Sequence, residues 1–432
     1  LTGANLSDTH YADYSYCDTG STGTCNDMHI NTYTTNEQRK PAVAMNSNGQ
    51  FIVAWFAVGT EDSAGVFAQR YNSDGTPNGS NFLVNTFLTS SQKEPSVAMD
   101  NNGNFVISWE SKTQEGEANY YGVFAQRYNS SGAPQIPTGC GDTIPVCDTN
   151  TGEFLVNTST TGNQKNSAVG MDSTGNFVIT WEGVATGDTS GGIFAQKYYS
   201  DGSPNGSNFL VNTYTGSTQT SPSVSMNSSG VFVIAWAGPG NGDSSSLGGV
   251  FAQKYSSDGS TNGTNFKVNS YTTGTQANVS VSIDGGGNFV VAWSGPGVGD
   301  GDVIVTPATV GGIFAQRFLN SGTENGSNFK VNTYITSTQA LPSVAMDSSG
   351  NFVISWSGPG SGDSYGIFTQ RYNSSGSSVG SNVKVNNYTA NNQKNVSIAM
   401  DSSSDVIISW HSKVQEGEAN YYGIYSRRYK FN

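Results

Sequence analysis

Residues 95–128 read PSVAMDNNGNFVISWESKTQEGEANYYGVFAQRY, and residues 153–157 read EFLVN. Three runs here alternate between apolar and polar residues, and a fourth follows a long insertion. Gly, Asn and Ser turns separate the runs. Alternation of this kind is the period of a half-buried β-strand. The unit from Pro95 to Asn157 therefore predicts four short antiparallel strands.

Variants of the unit fill nearly the whole chain. One Trp closes the second run each time: Trp55, Trp109, Trp181, Trp236, Trp293, Trp356 and Trp410, which are all 7 Trp of the sequence. The third run follows as Phe-Ala-Gln-Arg or a relative, at 67–70, 124–127, 194–197, 251–254, 314–317, 368–371 and 425–428. The fourth run ends at Asn85, Asn157, Asn212, Asn269, Asn332 and Asn386. Its seventh copy does not follow Tyr429; a matching Met28-His29-Ile30-Asn31 stands near the other end. Fixed-period units of four strands are the mark of a propeller, and a strand from the N-terminal side can complete the last blade. The expected fold is all-β: a seven-bladed β-propeller of four-stranded antiparallel blades, closed by residues 28–31. Blades are expected to begin near 41, 95, 166, 222, 278, 342 and 395, making residues 28–432 one domain. Residues 1–27 are expected to form a polar arm with a disulfide loop. Closure leaves only short sheet edges, which suits a chain so rich in strand.

The first runs alternate small residues with Val and Met, as in Ser343-Val344-Ala345-Met346. Small side chains suit the innermost strands, where blades converge. The first and second runs join through turns such as Asp347-Ser-Ser-Gly-Asn351. Asp opens such a turn and Gly takes the positive φ. The repeated Trp has two readings, a sugar platform or inter-blade packing. Apolar partners such as Phe105 and Ile107 on the Trp109 face favour packing. The repeated cation of the third run reads as a partner for a repeated carboxylate or carbonyl.

The chain has 19 Lys+Arg against 32 Asp+Glu, a net charge of −13. Nucleic acid is disfavoured as a partner, since phosphate contacts need Lys/Arg clusters. No apolar run reaches the roughly 18 residues of a membrane-spanning helix. No leader is recognisable, so an exported protein would start at Leu1 after processing. The 4 Cys form two close pairs, Cys17/Cys25 and Cys140/Cys147, each shortly before a fourth run. Two local disulfides are expected; the spacing is not that of a Cys-x-x-Cys zinc site. Paired Cys point to an oxidising, extracellular setting.

Chemistry is sought in the loop between the second and third runs. Asp188, Asp243, Asp300 and Asp363 close Gly-rich copies of it, the fifth adding Asp302. Carboxylates beside Gly carbonyls are hard oxygen ligands, so these five are candidates for Ca²⁺; the alternative is a solvated acidic turn. The second and seventh units share a different loop, SKTQEGEANYYG and SKVQEGEANYYG. Catalysis finds no motif: His10, His29 and His411 stand in none, and no nucleophile elbow or phosphate-binding loop occurs.

The combination N-F-V-I-S-W, G-V-F-A-Q-R-Y-N-S-D-G and F-L-V-N-T resembles a repeat of large secreted or surface-attached bacterial proteins of adhesin-like type. The resemblance spans about residues 28–430. It implies an extracellular bacterial location and a non-enzymatic role. The expectation is thus a structural or adhesive disc, not an enzyme. Its expected partners are copies of itself, as in a filament, or cell-surface proteins and glycans. A lectin-like module with or without Ca²⁺ is the alternative, and a polysaccharide-active enzyme the third reading.

Overall fold

A computed structural model of the chain describes residues 27–58, 64–115, 119–140, 146–240, 248–297, 311–335, 337–415 and 421–430. All regular structure among them is strand; no helix long and apolar enough to cross a membrane occurs there. The strands form seven antiparallel sheets, one per blade. Blade 1 is Gln38–Met45, Phe51–Ala57, Gly65–Tyr71 and Phe82–Leu83. The other inner strands are Gln92–Met99, Lys165–Met171, Thr220–Met226, Ala277–Ile283, Ala340–Met346 and Gln393–Met400. Consecutive inner strands pack side by side all round, the last against the first, so the ring is closed. In blade 2 the disulfide-bearing insertion splits the fourth strand into Pro134–Gln135 and Phe154–Leu155, both on the third strand.

Blade 7 is completed as the sequence predicts. Met28 pairs with Ser426 and His29 with Tyr425. The Ile30 amide then donates to the Ile424 carbonyl at 2.9 Å.

Each inner strand begins one to three residues before the expected position. The cause is a bulge that breaks the alternation. In every blade the second residue after a buried Gln takes the left-handed conformation: Lys40, Glu94, Asn166, Ser221, Asn278, Leu341 and Asn395, all at φ between 52° and 57°. The strand register shifts across that residue. Side chains such as Lys and Leu have no taste for positive φ, so the sequence does not announce it.

The seven Trp are the core, each at most 2% exposed. Each belongs to an apolar cluster built from two neighbouring blades, such as Ile52, Ala54, Val66 and Ala68 of blade 1 with Ile107 and Trp109 of blade 2. Small residues of the inner strands bond across blades: Ser397 Oγ accepts from the Val43 amide at 3.1 Å, and Ser280 Oγ from Val344 at 3.1 Å. The repeated cation is a carbonyl clamp. Arg70 donates to Ser130 O, Arg127 to Asp201 O, Lys197 to Ser257 O, and Arg428 back to Ser73 O, always on the next blade.

A second inter-blade tie uses an Asn in or just before the fourth strand. Asn81, Asn208, Asn265, Asn328 and Asn382 accept the amide that follows the preceding blade's fourth strand, and each donates to the Gln of its own third strand at 2.5–2.8 Å. Blade 7 replaces both members. Asp27 stands for the Asn and Arg427 for the Gln, giving a buried ion pair across the ring closure. A charge-assisted bond is roughly twice as strong as a neutral one, and it sits where no peptide bond joins the strand to its blade.

At the opening lined by the first turns, Met45, Met99, Met171, Met226, Met346 and Met400 surround a cavity of about 320 Å³, with Ile283 in the remaining blade. These are six of the 7 Met of the chain.

Candidate functional site

The opposite face carries the ends of the second strands and the starts of the inner and third strands. The predicted carboxylates lie on it. Asp188 is buried; its Oδ1 accepts the Ser190 amide at 3.0 Å and its Oδ2 accepts Asn212 Nδ2 at 2.9 Å. Asp363 does the same with the Tyr365 amide at 3.0 Å and Asn386 Nδ2 at 2.7 Å. Glu115 meets Asn157 Nδ2 at 2.7 Å. These carboxylates tie the loop to the end of the fourth strand. Asp188 and Asp363 stand in separate blades, 3 and 6. No group of three or more His, Cys, Asp or Glu fit for a metal occurs among the described residues. Asp243, Asp300 and Asp302 lie outside the described residues, as do Cys17, Cys25 and the arm up to residue 26. Cys140 and Cys147 form a disulfide.

The same face holds a group that sequence reading missed. The residue after the buried Gln is Arg39, Lys93, Lys165 or Lys394 in blades 1, 2, 3 and 7. In blades 4, 5 and 6 it is Thr220, Ala277 or Ala340. The residue after the Trp is Glu110, Glu182 or His411 in blades 2, 3 and 7, but Ala237, Ser294 or Ser357 in blades 4 to 6. Each of the former three accepts the amide of a left-handed residue on the next blade. Glu110 Oε2 takes Asn166 N at 3.2 Å, Glu182 Oε2 takes Ser221 N at 2.8 Å, and His411 Nδ1 takes Lys40 N at 3.3 Å.

Ion pairs join this sector. Lys40 meets Glu94 at 3.1 Å, linking the inner strands of blades 1 and 2. Lys93 meets Glu110 at 3.2 Å, Lys165 meets Glu182 at 3.5 Å, and Arg39 meets Glu37 at 2.5 Å. Cations also lie over rings: Arg39 over Tyr422, Lys93 over Tyr121 and Lys394 over Tyr365, each 4.6 Å from the centroid. Tyr422 meets the His411 ring edge-on at 4.7 Å.

Burial sets the protonation states here. It pushes the Glu110 carboxyl up, against the pull of the Lys93 charge and the Asn166 N–H. Burial works against the Lys93 charge too, but Glu110 and Tyr121 outweigh it and Lys93 titrates above its usual value. His411 is pulled down to about 3 by burial, then by the charges of Arg39, Lys40 and Lys394. It is therefore a neutral acceptor at neutral pH, which the bond from the Lys40 amide requires.

No protein-family model matches the chain, and no curated protein is similar to it in sequence. Solved structures are similar in fold. A protein of unknown function from Dyadobacter fermentans DSM 18053 shares 12% identity over 94% of this chain and 98% of its own, with a TM-score of 0.50. A polysaccharide lyase, the PL25 ulvan lyase, shares 12% over 95% of this chain and 96% of its own, with a TM-score of 0.54. An α-L-arabinanase from Penicillium chrysogenum overlaps 77% of this chain and 92% of its own at a TM-score of 0.48, too low to carry an argument.

Likeness at this identity shows the fold alone. It nonetheless corrects the expectation of a structural, adhesive or lectin-like disc that is not an enzyme. That expectation took a closed, repetitive ring as the sign of a passive scaffold. The ring matched over nearly its whole length is that of a polysaccharide-cleaving enzyme. His411, outside any motif, lies among the three cationic side chains Arg39, Lys40 and Lys394 at the start of the inner strands. The signal that could have found this group is the break in the repeat, read by stacking the seven units on their Gln and Trp.

Proposed function

We propose that the protein is a carbohydrate-active enzyme that cleaves a polysaccharide on this face, above blades 7, 1 and 2. One observation carries the reading. Ionisable groups that depart from the sevenfold repeat gather on one face, in the contiguous blades 7, 1, 2 and 3, and burial and neighbouring charges shift the titration of three of them, Glu110, Lys93 and His411. Such shifts cluster where proton transfer is done. The match to a polysaccharide lyase ring supports it.

In this reading Glu37 and Glu94, partly exposed at 29% and 28%, are the acid–base groups. Arg39 and Lys40 hold them and stabilise charge that develops on the sugar. His411 and Glu110 are positioning residues, fixing the bulged backbone through its amides. The Cys140–Cys147 disulfide supports a site of action outside the reducing cytoplasm.

The test is incubation with ulvan, arabinan and polygalacturonate, following both new reducing ends and unsaturated products. Loss of chain length in one of them is expected, and Glu94→Gln lowers its rate by roughly 10²–10⁴-fold. Unchanged chain length in all three sinks the proposal.

A further inference from the structure

Blades 2 and 7 flank blade 1 and carry nearly the same loop sequence, whose described ends are held the same way. Each loop opens on a β-branched residue in the left-handed region, Thr113 and Val414, both at φ 64°. For Val and Thr that conformation is strained, and such strain persists only where the surroundings hold it. The Thr113 amide donates to Tyr120 O at 2.9 Å, and the Val414 amide to Tyr421 O at 2.8 Å. The next residue anchors the loop to the acidic inter-blade tie: Gln114 donates to Glu153, and Gln415 to Asp27 at 3.2 Å. Only blades 2 and 7 have an acid at that tie position; the other five have Asn.

The product of this construction is an aromatic pair. Tyr120 and Tyr421 are exposed, at 41% and 37%. Tyr121 and Tyr422 follow them, covered by Lys93 and Arg39 at the same 4.6 Å. An exposed ring beside a ring already occupied by a cation is a flat apolar platform with a polar border. That is the surface a pyranose or furanose face stacks on, leaving its hydroxyls to neighbouring donors.

Resting on the carbohydrate-cleaving reading, we infer that Tyr120 and Tyr421 are two matched platforms for one linear polysaccharide, and that the enzyme attacks within the chain. The platforms lie on either side of blade 1, whose inner strand carries Arg39 and Lys40. A polymer held on both runs across those residues with sugars on each side of the bond to be cut. A ligand too short to span blade 1 reaches one platform only. Two linked sites bind a repeating ligand roughly 10²–10⁴-fold more tightly than one. Identical platforms therefore suit a polymer whose sugars repeat.

The experiment uses affinity electrophoresis through gels containing ulvan, arabinan or polygalacturonate, with trisaccharides from each as soluble competitors. The wild type is retarded by one polymer, which it binds at least roughly a hundredfold more tightly than the trisaccharide. Tyr120→Ala and Tyr421→Ala each bring polymer binding down to the trisaccharide level. Tyr120→Phe and Tyr421→Phe, which keep the ring, retain it. Equal thermal melts show that all four variants fold. The inference is overturned if no polymer retards the protein, if polymer and trisaccharide bind alike, or if only one of the two Ala variants matters. A polymer retained through both platforms but never cut refutes the catalytic reading, and with it attack within the chain, and leaves the two matched platforms standing. A polymer cut from its end, with Tyr120→Ala and Tyr421→Ala unaffected, does the reverse.

Discussion

Blades 4, 5 and 6 differ from blades 7, 1 and 2 in what their side chains answer to. In the first three, the positions after the Gln and after the Trp hold Thr, Ala or Ser, and the inter-blade tie is the neutral pair of Asn and Gln. Packing and backbone pairing account for nearly every residue there. In the second three, the same backbone positions hold Arg39, Lys93, Lys394, Glu110 and His411, with Phe56 after the Trp of blade 1, and the tie at blade 7 is an ion pair. The frame is common to both, so the charged side chains after the Gln and after the Trp are not needed to build it. Blades 4 to 6 thus serve as an internal control for the charged positions of the other four, since blade 3 carries Lys165 and Glu182 there.

The ring closure gives the largest expected contrast. Asp27→Ala leaves Arg427 buried without its carboxylate, a loss of about 3–5 kcal/mol. Asn265→Ala at the same place in blade 4 removes neutral bonds only, about 0.5–1.5 kcal/mol each. Chemical denaturation of both variants checks this; equal losses would mean that closure is no more demanding than any other blade contact.

Acid comes next. His411 is neutral in the fold down to about 3, whereas the unfolded chain protonates it near 6.5. The unfolded state then binds more protons, so stability present above 6.5 is lost progressively as pH falls toward 3. The raised Glu110 carboxyl works the other way, gaining stability as pH falls. Comparison with His411→Gln therefore isolates the imidazole. The variant melts at a nearly constant margin from the wild type above pH 6.5 and gains on it below; parallel curves throughout would refute a neutral, amide-accepting His411.

The smallest effect lies beneath the two matched loops. Trp55, Trp181 and Trp356 donate to Gln38, Gln164 and Gln339 at 3.0–3.1 Å. In blades 2 and 7 the Gln instead donates to Ser111 or Ser412 Oγ at 3.4 Å, and the Trp109 and Trp410 indole N–H groups find no protein acceptor. Blade 1 has Ala57 at that position and keeps its Trp–Gln bond, so the hydroxyl is the competitor. Ser111→Ala is expected to raise stability by about 1 kcal/mol, read as a higher melting temperature; no change would mean that the bond is not recovered.

The architecture was legible because each blade repeats Trp, Phe-Ala-Gln-Arg and Val-Asn at one period, and because the missing seventh copy reappears at Met28–Asn31. The repeated cation and the Asp-opened turns were also readable, since their roles follow from residue type. The bulge was not, because Lys40 and Leu341 advertise no positive φ. The site was not, because attention to what repeats discounts what does not. Arg39, Lys93, Glu110 and His411 carry their meaning only as exceptions, and the pairing that brings Lys40 to Glu94 crosses between blades. The rim aspartates drew notice as a repeated carboxylate, yet Asp188 and Asp363 are occupied in holding Asn212 and Asn386.

The methionine collar at the far opening has its own chemical consequence. Six thioethers share one small cavity, and oxidants convert a thioether to a sulfoxide, which is polar and chiral. Each event swaps a pliable hydrocarbon-like lip for a strong dipole that draws water into the bore. Peroxide would therefore wet this end of the molecule stepwise while leaving the charged group of the opposite face, which holds no thioether, unchanged.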